Sequence, residues 1–129
     1  MTEHRLLTTT SLISIALMLL HVSDDVVRGY EPGGFKNVQT ILTSFAWFYP
    51  TLMRTERRGW YVVMLLGSML GMVVSIAHMR GAGLVGGRIA GSDGMLLWVY
   101  SQLTLGVTST FSAVLSARAL WQLPRGNTR

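Results

Sequence analysis

Four ionisable side chains, His21, Asp24, Asp25 and Arg28, stand together where a long apolar stretch beginning at Leu6 runs out. Spacings of three, four and seven bring them to one side of a helix. Another histidine, His78, closes a second apolar stretch. Two imidazoles and a carboxylate are a ligand set for a divalent metal such as zinc or iron, with neutral nitrogen and anionic oxygen filling part of a coordination shell. His21 and Asp25, one helical turn apart, suit two bonds to one metal, or a carboxylate that orients the imidazole from the second layer. The same His21 with Asp24 or Asp25 also makes an acid–base pair, the carboxylate holding the tautomer while the ring takes and gives protons. Haem between two histidines fits less well, because His78 lies too near the end of its segment to leave apolar room beside it.

A plainer reading treats Asp24, Asp25 and Arg28 as a charged helix end, with Asp25 pairing to Arg28 or Lys36 at little energetic consequence. His78, followed by Met79 and Arg80, then reaches from the bilayer to water. His21 resists this reading, since nearly a full turn separates it from the acidic pair. An ionisable group inside a membrane span is a functional-site hypothesis by default. His4 reads as a solvated terminal residue, and Met69, Met72 and Met79 lack the spacing of a copper-binding run.

The elements that position these residues follow from where charge is missing. Half of the 129 residues are hydrophobic and 13% are charged, against about 25% charged in soluble proteins. The deficit is concentrated in four stretches, which predict an all-α, four-helix membrane bundle of one domain, residues 1–129, with spans near 6–28, 35–53, 60–80 and 95–121. A barrel would need period-two alternation, absent from residues 13–20 and 62–66. Arg5 followed by an apolar run resembles a signal peptide, but no small-x-small cleavage site follows, so an uncleaved first span is expected. No cysteine is present, which excludes thiolate ligands and cysteine nucleophiles. Phosphate-binding loops, dinucleotide fingerprints and nucleophile elbows are also missing.

The net charge of +5 does not point to nucleic acid, because the basic residues sit at segment ends. Seven of them (Arg5, Arg54, Arg57, Arg58, Arg118, Arg125, Arg129) fall on one side of the expected bundle and four (Arg28, Lys36, Arg80, Arg88) on the other. The positive-inside rule then places both termini in the cytoplasm of a multi-pass cell-membrane protein. Asp25 lies twenty residues beyond Arg5, and His78 twenty beyond Arg58, so both stand about 30 Å from the cytoplasmic anchors. Gln102 comes in from the outer side to about 10 Å. A site of His21, Asp24, Asp25 and His78, supported by Arg28 and Gln102 and opening outward, is therefore expected.

Other features concern packing. Gly67 and Gly71 form a G-x-x-x-G face on the third helix, suited to close approach by a helix of the same chain, a second copy in a homodimer, or a larger membrane complex. Six glycines fall between residues 81 and 94, a flexible connection that could act as a lid or docking loop. Ser92 or Asp93 can cap the fourth helix. The aromatics near residues 47–49, 60–61 and 98–100 read as interfacial belts. In outline, four helices in a similar length, the chain resembles the small multidrug transporters. It departs from them where their first span carries its defining carboxylate, with Ser14 and Ala16 there instead. Two functions follow: a His/Asp site that binds a metal ion or handles protons, or an accessory scaffolding subunit with no chemistry of its own.

Overall fold

The computed structural model describes residues 3–29, 34–53, 57–79 and 93–123. It is all-helical, with α1 (Glu3–Val27), α2 (Phe35–Met53), α3 (Arg58–Met79) and α4 (Met95–Gln122). The helices begin and end within a few residues of the apolar stretches. Three of them, α1, α3 and α4, are long and apolar enough to cross a membrane. The second expected span, α2, is not in that group: it has nineteen residues, with Lys36, Asn37 and Gln39 in its first turns. Most of the glycine-rich connection, Ser92 and several basic residues (Arg54, Arg80, Arg88, Arg125, Arg129) lie outside the described residues.

α4 packs against both α1 and α3, and α2 leans on α1 and α3 from the other side without meeting α4 among the described residues. The packed seams have a common spacing. On α1 the inward residues are Leu7, Ser11, Ser14, Met18, His21 and Asp25. On α4 they are Trp98, Gln102, Leu105, Ser109, Ser112 and Ser116. Alternating steps of three and four keep one stripe of a helix facing its neighbours, as in coiled coils. Here the stripe is filled by small hydroxyl residues, which let backbones approach and bond across helices. Ser11 bonds Ser112 at 2.5 Å, Ser112 bonds Ser68 at 2.9 Å, and Ser14 donates to Thr108 at 2.8 Å.

These bonds set the antiparallel register of α1 against α4, which runs from Asp25 opposite Trp98 at one end to Glu3 beside Arg118, 3.0 Å apart, at the other. The four ionisable residues expected on one side of α1 are thus divided: His21 and Asp25 are buried, whereas Asp24 and Arg28 stand at the rim. The glycine face of α3 is filled by the chain itself. A Cβ on Gly67 would stand 2.5 Å from the Trp47 ring of α2, and one on Gly71 would overlap the Ser109 hydroxyl of α4. Trp47 is accordingly a buried packing residue, 2% exposed, and not part of an interfacial belt. The outward faces carry large apolar side chains, among them Leu42, Phe45, Leu66, Val73, Val107 and Phe111.

Nor does a side chain among the described residues cap α4. Its N-cap is Gly94, in the left-handed region at φ 85, with no capping side-chain bond. Asp93 instead offers its backbone carbonyl to Arg28. The Arg28 guanidinium lies where a Cβ on residue 94 would be, 2.5 Å from its Nη2. Arg28 therefore ties the end of α1 to the start of α4.

Candidate metal centre

His21, Asp25 and His78 converge. One ligating atom from each lies within 4.8 Å of the other two. The imidazoles of His21 and His78 pack edge to face, centroids 4.7 Å apart. Nε2 of His21 is 3.3 Å from Oδ2 of Asp25. His21 is 4% exposed and Asp25 6%, while His78 is half-buried. In a tetrahedral shell with bonds of about 2.1 Å, neighbouring ligand atoms stand roughly 3.4 Å apart. The His21–Asp25 pair already stands at that separation, at 3.3 Å, and the wider separations, of up to 4.8 Å, would have to close around an ion. The edge-to-face packing of the rings leaves no space for a porphyrin between them, which removes the haem option.

His78 and Asp25 are each oriented by a further bond. His78 donates Nδ1–H to the Val74 carbonyl at 2.8 Å, which leaves the Nε2 lone pair to ligate. Trp98 donates its indole N–H to Oδ1 of Asp25 at 3.1 Å, so that Oδ2 faces His21. The Trp98 ring also packs on both imidazoles, at 5.6 Å from His21 and 5.5 Å from His78. It thus belongs to the centre and not to an aromatic belt. The spacing of the α4 stripe, where Trp98, Gln102 and Leu105 follow the same steps as the serines below them, signals only that Trp98 shares their face.

Of the other expected residues, Gln102 is present, 1% exposed, with Nε2 at 2.9 and 3.2 Å from the two ring nitrogens of His21. Asp24 stands outside the convergent group. Both of its oxygens accept from Nε of Arg28, at 2.8 and 2.9 Å. Adjacent residues on a helix point roughly 100° apart, so Asp24 cannot face inward while Asp25 does. Arg28, occupied with Asp24 and the start of α4, supports the rim of the centre and not its floor. Gly67 and Gly71 act at a distance from it, by letting α2 and α4 close on α3.

A carboxylate this deeply buried needs a positive partner unless it takes up a proton itself. The centre can take one as a metal ion or as a proton on an imidazole. Comparison with known protein families, curated proteins and solved structures finds no match to this chain. The functional reading therefore rests on the geometry.

Proposed function

We propose that the protein is a small multi-pass membrane protein whose His21–Asp25–His78 centre holds a divalent metal ion of the zinc or iron class. The observation that carries this reading is the convergence of three ligating atoms, from two helices, within 4.8 Å of one another. Two imidazoles disfavour magnesium and calcium, which take oxygen ligands, and the absence of sulfur from the group disfavours copper(I). The outward-facing apolar side chains and hydroxyl-lined interior support a lipid environment, in which polar groups turn inward and small residues line helix interfaces. In this proposal all four helices lie in the membrane, with both termini cytoplasmic and the centre near the outer surface.

Metal analysis of detergent-purified protein tests the reading. Zinc or iron should co-purify, or bind on reconstitution, in proportion to the protein. A wild-type protein that takes up neither would leave proton handling by the His21–Asp25 pair, which uses the same 3.3 Å contact, as the chemistry of the centre.

A further inference from the structure

Gln102 is placed unlike a packing residue. Its side chain is 1% exposed, and its Oε1 is one of four buried side-chain polar atoms without a hydrogen-bond partner among the described residues. A buried amide oxygen without a partner is costly, because its lost hydration is not replaced. Meanwhile the amide nitrogen lies 2.9 Å from Nε2 and 3.2 Å from Nδ1 of His21. A neutral imidazole has one nitrogen that accepts and one that donates, so an amide N–H set against both can satisfy one of them at best. Turning the amide over exchanges O for N at almost the same positions. It then places a carbonyl oxygen beside Nε2 of His21, the same nitrogen that faces Oδ2 of Asp25.

Building on the metal reading above, we propose that Gln102 is the fourth ligand of the centre. Its Oε1 joins Nε2 of His21, Nε2 of His78 and Oδ2 of Asp25 in a two-nitrogen, two-oxygen shell around a divalent transition-metal ion. The donors then come from α1, α3 and α4, so the ion joins three helices at one level. Ser75 fixes the backbone beneath this ligand, donating to the Gln102 carbonyl at 3.1 Å. A shell closed by a neutral amide holds its ion with only one anionic ligand. With its fourth position filled by protein, it differs from sites of three protein ligands and a water, which keep a position open for substrate.

Full-length protein in detergent is titrated with Co²⁺ and its ligand-field absorption recorded, with the zinc-loaded form examined by X-ray absorption at the zinc edge. Wild type should give a four-coordinate spectrum. Gln102→Leu should bind at least about tenfold more weakly, with the spectrum shifted as water replaces the amide. Gln102→Glu, close in shape, should bind more tightly than wild type because it places a charged oxygen at the same point. Thermal unfolding without metal identifies a variant that fails to fold, in which case Gln102→Glu decides. Wild-type affinity and spectrum in the folded variants would overturn the fourth-ligand assignment and leave the three-residue centre standing. No Co²⁺ or Zn²⁺ uptake by wild type would remove the centre itself.

Discussion

Asp25 carries the only carboxylate in the convergent group, and its two oxygens have different work. Oδ1 is held by the Trp98 indole and Oδ2 turns to His21. Removing a ligand and removing the bond that orients it should therefore differ in degree. His21→Ala is expected to abolish most zinc or iron binding, measured by elemental analysis of purified protein. Arg28→Ala should retain it, because a guanidinium cannot ligate a cation and this one is engaged with Asp24. Trp98→Phe keeps a ring against both imidazoles but deletes the N–H donor to Asp25. It should weaken metal affinity by about 10- to 100-fold without abolishing it, the usual range for a partner of a ligating group. Unchanged affinity in Trp98→Phe would mean that ring packing alone positions the carboxylate.

The helices hold the centre through stripes of small residues, so bulk added there should act through packing. Gly67 and Gly71 sit under the Trp47 ring and the Ser109 hydroxyl, both belonging to buried residues. Gly67→Leu or Gly71→Leu should lower thermal stability in detergent by about 1–3 kcal/mol, as overpacking does. Gly59→Ala meets nothing within 4 Å and should be neutral. Ser112, which bonds Ser11 and Ser68 at once, is the hydroxyl whose loss should be felt on three helices. Ser112→Ala is expected to cost between about 0.6 kcal/mol, the average for interhelical side-chain bonds in a membrane protein, and about 1.7 kcal/mol, the largest value. A Gly71→Leu protein melting like wild type would show that α3 and α4 are not in close contact at this level.

At the scale of the whole molecule, the apolar exterior and hydroxyl-lined interior suit a bilayer, and the proposed orientation rests on the seven-to-four split of basic residues. Reporter fusions after Arg58 and after Arg125 should read cytoplasmic, and one within residues 81–94 extracytoplasmic; the reverse pattern would put the centre on the inner side. The four helices and their approximate bounds were legible in the chain, because charge is scarce within four long apolar stretches and gathers near their ends. The helical period likewise put His21 and Asp25 on one face, and equal distances from Arg5 and Arg58 put His78 level with them. Period relates residues only within a helix. It could not say how α1 is turned about its axis, and so whether Asp24 or Asp25 faces inward. Nor could it say that Trp98 packs inside the centre, or that the glycine face of α3 is filled by Trp47 and Ser109 of the same chain. Those choices were made by tertiary packing, since rotation and register between helices depend on which side chains from distant parts of the sequence fit and bond across a shared seam.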